Sequence, residues 1–212
     1  YCIMMAYGYG LEAAKKHIEV VVLDRPNPLG GEYVDGPMLE SRLKSFVGYL
    51  NVPYCHGMTI GELAIFFQKQ SSIPCTLHVV PMNGWKRSMR FTNTGLCWIP
   101  PSPHIPSAHT ALLYPATGIL GTLSFVNIGI GYTLPFELVV APWLEAKRLA
   151  AHLNKAKLAG VHFQEIWIKP FWGPWKDKVC QGVQVLITDQ ATFNPVRTFF
   201  LLISTLRDIY PS

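Results

Sequence analysis

The chain lacks most of the features that would tie it to a membrane, a nucleic acid, a metal or a disulfide framework. Only 15% of its residues are charged, and the cations behind its formal net charge of +5 are scattered. A protein that tracks a phosphate backbone concentrates Lys and Arg on one face or in one run, and no such run is present, so nucleic acid is excluded as the expected partner. The charge reads as solubility, with weak attraction to acidic polymers. The five cysteines (Cys2, Cys55, Cys75, Cys97, Cys180) form no CxxC pair and no Cys/His cluster with zinc spacing. Reduced, mostly buried thiols are therefore expected, with no metal site. No apolar run reaches the roughly 18 residues a membrane span needs. No glycine-rich G-x-G-x-x-G fingerprint follows a strand, since Gly8-x-Gly10 precedes a helical segment, which argues against a nucleotide. No signal peptide is visible. The start at Tyr1, inside a segment that reads as helical, leads us to expect an N-terminal portion upstream.

What is present is a core-forming composition. Half of the 212 residues are hydrophobic and 12% are aromatic, enough for one large domain or two small ones and too much for disorder. The organising stretch is VVVLDRPNPLGG, Val20 to Gly31. Val20 to Leu23 is a short β-branched run, apolar on both faces, and predicts a buried strand of a parallel sheet. Pro26, Pro28, Gly30 and Gly31 then forbid regular structure. Asp24 and Arg25 thus leave the carboxyl end of a strand, the edge where open α/β sheets bind ligands. The alternative is that the two pair with each other or cap a neighbouring helix.

The rest of the chain alternates helix and strand signals, which predicts an α/β protein. Residues 1–17 read as a helix feeding the strand at 20–23. Pro37 to Glu40 is placed to open a short helix, and Val52 to Gly57 reads as an extended link. Thr59 and Glu62 have the spacing of a capping box for a helix to about Lys69. Cys75 to Val80 alternates as a strand, and Met82 to Arg90 is a loop. Pro100, Pro101, Pro103 and Pro106 rule out regular structure there. Ser107 or Thr110 is a cap for a short helix through Leu113. Gly118 to Thr133 is punctuated by glycine. Trp143 to Leu153 has an amphipathic helical period, Val161 to Ile168 and Val183 to Ile187 read as strands, and Phe193 to Leu206 as a terminal helix.

The order of the motifs VVVLDRPNPLGG, HGMTIGELA, VVPMNGWKRSMRF, TGLCWIPPSPHIPS, TALLYP, PFE and GVQVLITD resembles that of the bacterial NamZ exo-β-N-acetylmuramidases, a family once catalogued as a domain of unknown function. The resemblance implies the C-terminal part of a Rossmann-like α/β domain (residues 1–74) followed by an α+β domain (residues 75–212), with the active site in the cleft between them. It implies release of N-acetylmuramic acid from the non-reducing end of peptidoglycan fragments, no cofactor, no metal and an extracytoplasmic location. It also implies that roughly the first half of a family member is absent here. Three positions depart from the family's pattern. Ile128 and Ile130 stand where Glu and Arg often occur in the glycine turn, and His104 replaces the Asn that commonly follows Ser-Pro.

Glycoside cleavage normally employs two carboxyl groups. Glu137, behind a rigid Pro-Phe and a glycine turn, and Asp24 are the catalytic candidates, with a structural cap or ion pair as the alternative for each. Glu62 reads as structural through its capping box. Candidate substrate-binding residues are Arg25, Asn27, His56, Trp85, Arg87, Ser102, His104 and Thr133. An aromatic face suits the C–H surface of a sugar, and Arg grips a carboxylate bidentately. Muramic acid offers both partners. Trp167, Trp172 and Trp175, with Lys169 and Lys176, form either a further aromatic wall or a roof on the second domain. The competing functional expectation is a catalytically weakened or non-catalytic carbohydrate-binding relative.

Overall fold

The computed structural model describes Ala13 and residues 15–45, 48–72 and 74–211. The helix expected over residues 1–17 lies almost wholly outside them. The chain divides into two compact units, Tyr1–Cys97 and Trp98–Ser212, which gives the mixed α/β architecture expected.

In the first unit, β1 (Val20–Leu23) pairs in parallel with a later strand, Leu77–Val80, in strict register from Val20 against Leu77 to Leu23 against Val80. The helix between them, α1 (Ile60–Ser71), buries Leu63 and Phe67 together with Leu50. Because Leu77–Val80 (β4) is the partner of β1, the domain boundary expected at 74/75 falls inside this unit, and the division lies at 97/98. The expectation that β1 is buried on both faces is corrected: Val20 and Val22 are half-buried, but Val21 and Leu23 are exposed by 57% and 69%. Among the described residues, β4 is the strand that pairs with β1 and α1 the helix packed against it, so alternation wins over the apolar run.

A second correction concerns Pro37 to Glu40. No α-helix opens there. Asp35–Met38 is β2, antiparallel to β3 (Pro53–Cys55), and a short 3-10 turn follows at Ser41–Leu43. The ladder shifts register between Asp35 and Met38, which accommodates the missing N–H of Pro37.

The second unit is built on a three-stranded antiparallel sheet in the order β5 (Leu138–Ala141), β7 (Cys180–Ile187), β6 (Val161–Ile168). Three helices, α2 (Ala108–Thr122), α3 (Ala146–Lys155) and α4 (Pro195–Ile209), share one core with the sheet, closed by Leu113, Leu149, Phe163, Val183 and Leu202. A smaller cluster of Leu138, Val140, Ile168 and Cys180 packs with Tyr132, Leu134 and Trp175. Ser107 caps α2, but the helix runs nine residues past the expected end at Leu113, through Pro115 and Gly118. Burial explains this. Leu113, Ala116, Thr117 and Leu120 have no exposed surface, and core packing of this kind outweighs the poor helix propensity of Pro and Gly.

Cys55 and Cys180 are buried free thiols, Cys75 is half-buried and Cys97 exposed. Burial, with Asp35 nearby, pushes the Cys55 thiol up to about 12.

Candidate functional site

The carboxyl end of β1 runs directly into Asp24. Its Oδ1 accepts from the N–H groups of Gly61 at 2.8 Å and Arg25 at 2.9 Å, and its Oδ2 accepts from the Thr59 hydroxyl at 2.9 Å. Thr59 is the N-cap of α1, so Asp24 sits on the positive end of that helix. Of its two readings, the geometry gives it the capping one.

The capping box expected at Thr59 and Glu62 is formed. The Thr59 hydroxyl accepts from the Glu62 N–H at 3.2 Å, and Glu62 Oε2 accepts from the Thr59 N–H at 2.9 Å. The other Glu62 oxygen accepts from Arg87 Nη1, while Arg87 Nη2 donates to the Gly57 carbonyl at 3.1 Å. Asn27 donates to the Met58 carbonyl and accepts from the Leu29 N–H, each at 3.0 Å. His56 Nδ1 accepts from the Met58 N–H at 3.1 Å, and burial holds its pKa below the usual imidazole range. Three stretches distant in sequence, around residues 24–31, 56–62 and 85–90, are thereby tied together. Asn27, His56 and Arg87 spend these polar atoms on tying them.

Beside this junction a pocket of about 250 Å³ opens, with Arg25, Asn83, Trp85, Met89, Asn93 and Thr94 in its lining. The Trp85 ring lies 5.9 Å from the Arg87 guanidinium, and its indole N–H is buried with no acceptor among the described residues. Arg25 is held by its backbone, between the Asp24 carboxylate and the buried Pro26. Among the described residues its guanidinium makes no hydrogen bond or ion pair. Asn83, Asn93 and Thr94 were missed in the sequence, because polar loop residues carry no periodic signal.

The second unit holds Glu137 by its backbone. The residue before it, Phe136, takes φ +64°, a left-handed conformation that is strained for an aromatic residue. The Phe136 carbonyl accepts from the buried Thr117 hydroxyl at 2.8 Å. The Glu137 N–H donates to Leu134 and its carbonyl accepts from the Val185 N–H. The carboxylate accepts from Gln184 Nε2 at 3.0 Å and is half-buried. Gln184 was also missed, although a Gln inside the apolar run VQVLI was a visible signal.

The preceding turn is organised by Asn127, whose side chain accepts from the Gly129 N–H at 2.7 Å and donates to the carbonyls of Ile130 and Pro174. Gly129 and Gly131 both have φ near +90°, and a Cβ on either would overlap the carbonyl of Leu134 or Trp172. Only glycine fits there. The His104 ring stacks on the exposed Trp172 at 6.1 Å, and the His104 backbone N–H donates to Ser102 Oγ at 3.3 Å. Thr133 is exposed. Trp175 joins the second unit's apolar clusters and donates to the Phe125 carbonyl, as a roof would. Asp24, Arg25, Asn27, His56, Trp85 and Arg87 thus belong to the first unit, and Ser102, His104, Thr133 and Glu137 to the second. Among the described residues no group of three His, Cys, Asp or Glu side chains is placed to hold a metal, and no helix is long and apolar enough to cross a membrane.

These features define a mixed α/β protein with a small polar and aromatic pocket at the carboxyl ends of its parallel strands. The chain belongs to the exo-β-N-acetylmuramidase NamZ family: the family's N-terminal model matches residues 1–109 and its C-terminal model residues 112–212. It is 42% identical over its whole length to the peptidoglycan β-N-acetylmuramidase NamZ of Bacillus subtilis strain 168, covering 51% of that protein. A crystal structure of a DUF1343 family protein from Bacteroides fragilis superposes on 98% of the chain with a TM-score of 0.90 and 44% identity. A second such protein from the same organism gives a TM-score of 0.68 and 28% identity over 99% of the chain. The chain covers 55% of each of those structures, so it spans about half the length of the relatives it matches.

Proposed function

We propose that the protein is a glycoside hydrolase acting on peptidoglycan, and that it releases N-acetylmuramic acid from the non-reducing end of peptidoglycan fragments without a metal ion. Family membership along the whole chain is the observation that carries this reading. The geometry supports it through Glu137, a half-buried carboxylate on a pinned backbone. Cleavage passes through a cationic sugar, so a fixed carboxylate near the anomeric carbon favours the transition state over the ground state. Asp24, with both oxygens engaged by α1, acts in this reading by fixing the loop that carries Arg25. Peptidoglycan lies outside the cytoplasmic membrane, and we place the protein there with it.

The second reading is a carbohydrate-binding relative with weakened catalysis. It is favoured by Ile128, which is buried in the second unit's core at a position where the resemblance to the family leads to an expectation of Glu. One assay separates the two: incubation of the intact protein with the disaccharide of N-acetylmuramic acid β-linked to N-acetylglucosamine. Release of free N-acetylmuramic acid supports the hydrolase, and binding without release supports the second reading.

A further inference from the structure

We infer that Arg25 reads a carboxylate on the bound sugar, and that the pocket around it takes an anionic monosaccharide unit. This rests on the peptidoglycan reading for the identity of the sugar. The two arginines that flank the site, Arg25 and Arg87, look equivalent in sequence but not in the fold. Arg87 spends two nitrogens on Glu62 and the Gly57 carbonyl. Arg25 presents a guanidinium with no partner among the described residues, from a backbone fixed by Asp24 and followed by the buried Pro26. Among the described residues, no acidic side chain lines the pocket that Arg25 borders. A guanidinium at a concave site, carried on a fixed backbone and with no counterion among the described residues, suits an anion, and its planar fork matches a carboxylate through two parallel hydrogen bonds.

The rest of the lining fits a sugar ring. Trp85 and Met89 offer apolar surface for its C–H face, while Asn83, whose amide makes no hydrogen bond among the described residues, is a polar member of the same lining. At about 250 Å³ the space falls just below the roughly 300–1,000 Å³ of drug-sized sites, which suits one ring and not an oligosaccharide. Muramic acid differs from glucosamine by a lactyl ether that ends in a carboxylate. Arg25 is therefore the specificity determinant between the two.

The test uses the intact protein and its Arg25→Gln and Arg25→Lys variants. Isothermal titration with free N-acetylmuramic acid and free N-acetylglucosamine is the first readout, and KM against kcat on the disaccharide is the second. Arg25 is exposed, so both variants fold, which their melting temperatures verify. Arg25→Gln should weaken N-acetylmuramic acid roughly 10- to 100-fold, the range for losing a charged hydrogen bond, and leave N-acetylglucosamine unchanged. Arg25→Lys should fall between, and KM should rise with kcat retained. Equal losses for both sugars, no loss for either, or parental protein that does not distinguish the two sugars would overturn the inference. Parental protein that prefers N-acetylmuramic acid but releases none from the disaccharide would overturn the hydrolase reading and leave the inference standing.

Discussion

Arg87 and Glu62 pair across 25 residues, and the pairing uses the carboxylate oxygen that the helix cap leaves spare. One side chain thus closes the first turn of α1 and anchors the loop that carries Trp85. An exposed ion pair is worth only about 0.2–1 kcal/mol. The place of Glu62 in the first turn of α1 adds about 0.3–1 kcal/mol, and its hydrogen bond from the Thr59 N–H about 0.5–1.5 kcal/mol.

Glu62→Ala should therefore lower stability by about 1–2 kcal/mol, and Glu62→Gln by less, because Gln retains an acceptor for the Thr59 N–H. Urea unfolding midpoints measure both. A neutral Glu62→Ala would show that the junction of the three loops is held by other contacts.

Glu137→Gln in the intact protein should reduce turnover by about 10²–10⁴, the range for a positioned acid or base, with little change in melting temperature. Gln retains an oxygen that accepts from Gln184, so the fold keeps its contact. Near-normal turnover would make Glu137 a structural residue. Lost melting stability with normal turnover would make the Gln184 contact its purpose.

His56 sets a pH dependence. Its folded pKa is lowered by burial, so in the window below about 6.5 the unfolded chain binds the proton more readily. Stability is then fully present above that pH and falls as the medium is acidified through the folded pKa. Protonation at Nδ1 would also remove the acceptor of the Met58 N–H. Thermal melts from pH 7.5 to 5 should show a decline that is shallower in His56→Gln. Parallel profiles for the two proteins would assign the acid sensitivity to another group.

The elements legible in the sequence were those whose cause is local. Thr59 and Glu62 announce a cap three residues apart, and Val161 to Ile168 alternates over its full observed length. The parallel strand 20–23 was placed correctly, but its burial was not, since burial depends on which elements cover each face. Asp35–Met38 was missed because its pairing with Pro53–Cys55 is tertiary. The end of α2 was misplaced because apolar packing overrode Pro115. At the site, Trp85, Arg25 and Arg87 were all legible as candidates. Their division of labour was not, because the partner that occupies Arg87 lies 25 residues away. Gln184 escaped for the same reason, at 47 residues from Glu137.

One small fit in the second unit bears on how this sequence can drift. A Cβ at Gly121 would overlap Cδ1 of Ile128, whose side chain lies in the core. The two positions share part of one volume, so a side chain added at 121 requires the end of Ile128 to shift or shorten. A larger residue at 121 is best accommodated with a shorter one at 128, and an acidic side chain at 128 would place a carboxylate in the apolar core. Among descendants of this chain, a side chain gained at 121 should therefore be accompanied by a smaller residue at 128, while 128 can shorten with 121 unchanged.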